Sequence, residues 1–419
     1  MHTQYPNLSP AISRPVSGQR AGAAASKWLR VLSLSVAFAG ATELLAVQDD
    51  SNLTTIERVG KKLFFDTNLS TPKGQSCASC HSPKTGFTGA DSATNEAGAV
   101  SQGAVHGRFG NRKPPSAAYA GFSPALSFDS VDEVWSGGSF WDGRATGLSL
   151  GDPLVEQAMG PFLNALEMNN ADAKEVVRKV ADSDYAELFK SVWGRNSLAS
   201  KANVMETYTR IARSIAAYER SAEVNPFSSK YDYYLKNRVA LTKQEANGLK
   251  LFEGKAMCSA CHTSQPGPSN EAPLFTDYTF DNLGVPRNPQ NPFYTAPTTV
   301  NPAGYGFVDV GLAGFLASAN YPAAAVAKEM GKQKVPTLRN VDKRPTPHFV
   351  KAYMHNGAFK SLEQVVHFYN TRDVASWPQA EVPATINRSE LGNLKLTAAE
   401  EADVVAFLKT LTDGYEIGK

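Results

Sequence analysis

The sequence predicts a mainly helical protein with long loops and few short strands, folded as two similar halves. Three observations carry this expectation. All four cysteines lie in two copies of one five-residue motif, Cys77-Ala78-Ser79-Cys80-His81 and Cys258-Ser259-Ala260-Cys261-His262. A similar helix-like word precedes each copy: Gly60-Lys61-Lys62-Leu63-Phe64 and Gly248-Leu249-Lys250-Leu251-Phe252. A long amphipathic stretch, apolar at helical spacing, follows each copy far downstream.

The elements follow in chain order. Residues 1–46 read as an export leader. Lys27-Trp28-Leu29-Arg30 precedes an apolar run from Val31 to Ala41 that is short for a membrane span. The first half, residues 47–225, runs from the Gly60 word through the first motif to a helix over about 203–219. Ile211, Ile215 and Tyr218 share one face of that helix. The boundary falls near Asn225-Pro226, after that helix ends. The second half, residues 226–419, repeats the order and closes on a helix over about 397–411. Thr397-Ala398-Ala399-Glu400 is its capping box, and Val404, Val405, Leu408 and Leu411 form its apolar stripe. Residues 82–130 and 264–322 are rich in Gly, Pro and Asn, and loops of that length usually serve a function or wrap a cofactor.

Composition narrows the class. Of 419 residues, 42% are hydrophobic and 20% charged, as in ordinary globular proteins. The formal charge of +2 includes four basic residues against one acidic in the leader, so the remainder is near neutral. That balance argues against nucleic-acid binding, which shows as a clustered basic surface.

Cys-x-x-Cys-His is the attachment signature of c-type haem. Two thiols add across the porphyrin vinyl groups as thioethers, and the adjacent histidine becomes the proximal iron ligand. Zinc would need further Cys or His nearby, and neither copy offers them. Each half is therefore expected to be a cytochrome c-like domain around one covalent haem: early helix, motif, late helix. His81 and His262 are the expected iron ligands. Export suits this chemistry, and the expected location is the periplasm.

Phe140-Trp141-Asp142-Gly143-Arg144 lies between the two motifs. Gln157-Ala158-Met159-Gly160-Pro161, Asn164 through Met168, Lys334 through Asn340 and Tyr353-Met354-His355-Asn356-Gly357 are further words. Together they make the chain resemble the bacterial di-haem cytochrome c peroxidase/MauG superfamily from about Ile56 to Gly414. The resemblance implies hydrogen peroxide at the N-terminal haem and electron handling at the C-terminal one. It makes Glu167 the distal acid/base, Gln157 and Pro161 pocket-lining residues, and Trp141 the inter-haem relay. General acid–base help of this kind contributes ~10²–10⁴-fold.

In the family the second iron carries methionine in peroxidases and tyrosine in MauG. The equivalent position here is Tyr369. The local pattern agrees: Ser361-Leu362-Glu363-Gln364 reads as a capping box, and Leu362, Val365, Val366 and Tyr369 share one helical face. His367 points elsewhere. A phenolate favours oxidised iron, whereas methionine favours the reduced state. The loop histidine His106 is expected not to ligate the first haem. His348 and His355 read as structural. Arg144 and Arg339 are candidate partners of haem propionates, or ordinary ion pairs. The family also implies a calcium ion, with Asn111 and the carbonyls of Val350 and Ala352 near the matching positions.

The function implied first is a peroxidase that reduces hydrogen peroxide to water with electrons from a small cytochrome c or cupredoxin. The alternative is a MauG-like oxidase acting on a partner protein through a bis-ferryl state. A plain electron carrier would not need Gln157, Pro161 and Glu167. A homodimer is compatible with either.

Overall fold

A computed structural model describes residues 50–418; the expected leader lies outside the described residues. The architecture is mainly helical. The described strands form two short antiparallel pairs, Ser127–Asp129 with Val134–Ser136 and Phe280–Asp281 with Gln333–Lys334.

The repeat seen in the sequence is a repeat in space. Helices Thr55–Phe65 and Lys243–Glu253 both start at a threonine N-cap. Thr54 pairs reciprocally with Glu57 and Thr242 with Glu245, satisfying amide groups the first turn leaves free. Each early helix packs against its late helix, Val204–Glu219 in the first half and Ala398–Lys409 in the second. The crossing point is the glycine of the repeated word. A Cβ on Gly60 would lie 1.9 Å from the Ser214 carbonyl oxygen, and one on Gly248 would lie 1.9 Å from that of Asp403. No side chain fits there, so glycine is what allows the backbones to touch. The phenylalanine four residues later completes the contact. Phe64 meets Tyr218 edge-on at 5.4 Å, and Phe252 meets Phe407 at 5.1 Å.

One apolar cluster draws its buried residues from Leu53 to Val224, and a second from Tyr231 to Leu411. Both belong to one compact body, residues 50–419. The last helices start close to where the sequence placed them. Thr397 caps Ala398–Lys409 through the expected box. Helix Leu362–Thr371 is capped by Ser361, whose hydroxyl accepts from the Gln364 amide. The expected box there is only half made: the Gln364 side chain accepts instead from the Lys360 N–H, at 2.7 Å. No helix among the described residues is long and apolar enough to cross a membrane.

Candidate functional site

Two of the cavities among the described residues each have one motif in their wall. Cys77, Cys80 and His81 line the first, and Cys258, Cys261 and His262 line the second. The motifs form single tight turns, Cys77–Cys80 and Cys258–Ala260, which gather two thiols and an imidazole on one side. His81 Nδ1 lies 3.0 Å from the Phe87 carbonyl oxygen, and His262 Nδ1 lies 2.8 Å from that of Phe275. With the proton on Nδ1, each ring donates to its carbonyl and Nε2 is left as the ligating atom. Burial pushes both imidazoles below their ordinary range. The four thiols are not paired with one another. Burial also drives them up, Cys258 and Cys261 to about 12.

The first cavity carries the acid. Gln157 and Pro161 stand one turn apart on helix Pro153–Leu163, and both face it. Pro161 has no N–H to offer the Gln157 carbonyl. Glu167 follows on a turn outside the helix, where its N–H donates to the Asn164 carbonyl at 3.0 Å. Asn164 Nδ2 donates to Glu167 Oε1 at 2.7 Å, fixing one oxygen, while Oε2 has no hydrogen bond among the described residues. Burial raises the Glu167 carboxyl above its usual range, while nearby Arg144 and the Asn164 bond oppose the rise. Arg144 also lines this cavity, stacked 3.7 Å over the Phe140 ring and paired with Asp142 at 2.9 Å. Through Nη1 it meets both Asp142 oxygens, which leaves Nη2 for an anionic group. His106 is exposed and is not part of the cavity wall.

The second cavity is more apolar. Leu362, Val365, Val366 and Tyr369 line it together, as the helical face requires. The Tyr369 hydroxyl makes no hydrogen bond among the described residues, and burial pushes its phenol far up. His367 is half-exposed and bonded to Glu401 at 3.0 Å, outside the cavity. Met354 lines the wall, and Met330 does not. His355 lines it too, fully buried, with Nε2 unpartnered and the ring pushed down to about 4 by burial. His348 is exposed.

Trp141 lines both cavities. Its Nε1–H donates to the Lys113 carbonyl at 2.8 Å, and its ring meets His355 edge-on at 6.4 Å.

Arg339 reaches the second cavity, but its fork is bound to Asp232, Nη1 at 3.0 Å and Nη2 at 2.9 Å, with Nε on the Pro273 carbonyl. Of the two readings the sequence left open, the structure shows the buried ion pair. Asn111 lines the first cavity and Ala352 the second, while the Val350 carbonyl accepts from Asn95 Nδ2 at 3.0 Å.

Sequence reasoning missed Lys113, Lys334 and Glu219. The two lysines line both cavities, and Glu219 lines the first, pushed up to about 8 by burial. Glu219 had a sequence signal, since it ends the late helix one turn after Ile215, which lines the same cavity. Lys334 opens one of the words that carry the resemblance, and Lys113 had no signal of its own.

The residues present therefore fit two covalent haems: two cavities, each with unpaired thiols and a tethered histidine, and with orphaned polar atoms at His355 and Tyr369. Comparison with known proteins agrees. Residues 55–240 match the family described as di-haem cytochrome c peroxidase. The chain is 32% identical over 402 residues to the methylamine utilization protein MauG of Paracoccus denitrificans, covering 92% of this chain and 94% of that one. It is 30% identical over 392 residues to the cytochrome c551 peroxidase of Nitrosomonas europaea, covering 91% and 89%. The crystal structure of the di-haem peroxidase BthA from Burkholderia thailandensis superposes with a TM-score of 0.73 at 33% identity, covering 86% of each chain. The chain belongs to the di-haem cytochrome c peroxidase and MauG family, oxidoreductases that carry two c-type haems.

Proposed function

We propose that this protein is a periplasmic peroxidase that reduces hydrogen peroxide to water with electrons from a small redox protein, its halves dividing near residues 225–226. In this reading Cys77, Cys80 and His81 hold the peroxide-reacting haem, and Cys258, Cys261, His262 and Tyr369 hold the electron-transfer haem. When bound, the haems supply iron that engages peroxide and exchanges electrons. Everything else is the work of the chain.

The observation that carries the reading is Glu167, a carboxyl in the first cavity with one oxygen held by Asn164 and the other free. Heterolysis of peroxide needs a proton moved from one oxygen to the other. Glu167 Oε2 takes it as base and returns it as acid, and a carboxyl raised by burial is closer to working pH for both steps. Gln157 and Pro161 shape the same wall and limit access by water. Arg144 stands near Glu167 and favours its ionised form before the proton arrives. Trp141, in the walls of both cavities, is the bridge for electrons between them.

Tyr369 favours a second reading, peroxide-dependent oxidation of a partner protein. Its free hydroxyl in the second cavity suits an anionic oxygen ligand, which disfavours reduced iron as a store of electrons. Steady-state turnover separates the two. Rapid peroxide consumption with a reduced small cytochrome c or cupredoxin supports the peroxidase. A long-lived oxidised spectrum with slow turnover of either donor supports the oxidase.

A further inference from the structure

A third cavity lies beside the first motif. Lys73, Asp91 and Gln102, all exposed, stand at its mouth. Its inner wall includes Gln75 and Ser101, and both of these also line the first cavity. Between solvent and the first cavity the wall is therefore one residue thick at this place.

The same region leads to the acid. The Ala104 N–H donates to the Glu167 carbonyl at 2.7 Å. A Cβ on Gly103 would lie 2.3 Å from the Leu166 carbonyl oxygen, so only glycine lets the two backbones meet there. Gly103 and Ala104 line the third cavity, and Leu166 and Glu167 line the first. The two cavities thus adjoin along the turn that carries Glu167.

Gln75 closes the wall between them. Its side chain is buried, with Nε2 donating to the Gln102 carbonyl at 2.9 Å and reaching Cys80 Sγ at 3.6 Å. Its Oε1 is buried and has no hydrogen-bond partner among the described residues. Buried amide oxygens are normally paired. An unspent acceptor in a thin wall suits a small O–H donor that passes by it. The remaining lining is backbone, hydroxyls and short side chains, with no large apolar group. Hydrogen peroxide matches that lining, being small, uncharged and a donor at both ends.

We propose, on the reading that peroxide reacts in the first cavity, that the third cavity is the port by which peroxide enters and water leaves, and that the Gln75 side chain is its gate.

The test uses the haem-loaded protein and two probes in stopped-flow absorbance. One is hydrogen peroxide. The other is cyanide, which binds an open ferric iron without being turned over, so that its association, dissociation and affinity can each be measured. Ala90→Phe fills the third cavity at a residue that does not line the first. Gln75→Ala thins the shared wall. Ala90→Phe should slow cyanide association and dissociation together, severalfold, with the affinity near that of the parent. Gln75→Ala should speed both, and peroxide association should follow the same order. Affinity stays because a port alters the passage and not the bound state. Parent rates in both variants, or a changed affinity with association unmoved, overturn the port. A parent that binds no cyanide has no open iron behind this wall and overturns it as well. If Ala90→Phe does not fold, Gln75→Ala decides. Failure of the underlying reading looks different: Glu167→Gln would then react with peroxide as fast as the parent, whatever the two port variants do to cyanide.

Discussion

The two cavities share a plan and differ in what faces them. Each has the same motif turn, the same Nδ1-to-carbonyl tether and the same glycine crossing behind it. In the first, a helix bearing Gln157 and Pro161 leads to a turn that brings in a carboxyl. In the second, a helix brings in an apolar stripe ending in a phenol. The shared parts hold a haem. In the proposed reading the parts that differ choose its chemistry, the carboxyl as a carrier of protons and the phenol as a ligand that closes a coordination site. Duplicating the scaffold is thus compatible with two roles, provided that only the wall changes.

The sharpest way to break the comparison is to remove the proton carrier. Glu167→Gln should slow peroxide activation by at least about tenfold in stopped-flow absorbance. In the parent, activation should rise with pH as Glu167 loses its proton, along a limb displaced above the ordinary carboxylate range because burial raises its pKa. The variant should lack that limb, and equal rates and pH profiles in both would end the assignment.

Next comes the phenol. Tyr369→Met should raise the potential of the second haem, measured by spectroelectrochemical titration, while leaving the first near its parent value. An unmoved potential and spectrum would take Tyr369 out of the coordination sphere and erase the main difference between the cavities.

Trp141→Phe keeps an aromatic ring but loses the bond to the Lys113 carbonyl. The reaction with peroxide should persist, and electron exchange between the haems should slow in rapid-mixing spectra. Exchange at the parent rate would mean that the bridge is elsewhere.

The smallest effect tests what the halves share. Gly60→Ala and Gly248→Ala should each destabilise the haem-loaded protein, by about 1–3 kcal/mol if the helices can shift, because each new Cβ meets a carbonyl oxygen. Melting curves should show similar losses at both sites. A loss at one glycine alone would mean that the crossings are not equivalent.

Much of this was legible beforehand. The repeated words marked the early helices, the Thr397 box marked the start of the last helix, and the 3.6-residue stripe put Tyr369 on the face of Val366. Local rules govern such features, since a cap or a stripe involves residues within two turns. The partner of Arg339 was not legible, because Asp232 lies 107 residues away and nothing in either segment announces the pairing. The place of Lys113 was invisible for a related reason. One of its partners is a backbone carbonyl, which every residue possesses.

By itself the sequence determined the haem count, the repeated helical frame and which residue types could face each cavity, because motif chemistry and helical periodicity are local. Only the tertiary structure decided that Trp141 lies in both cavity walls, that Arg339 pairs with Asp232, and that Lys113 and Lys334 line both cavities. Those outcomes depend on which distant groups come within hydrogen-bonding range once burial removes water as an alternative partner, and no stretch of chain encodes that alone.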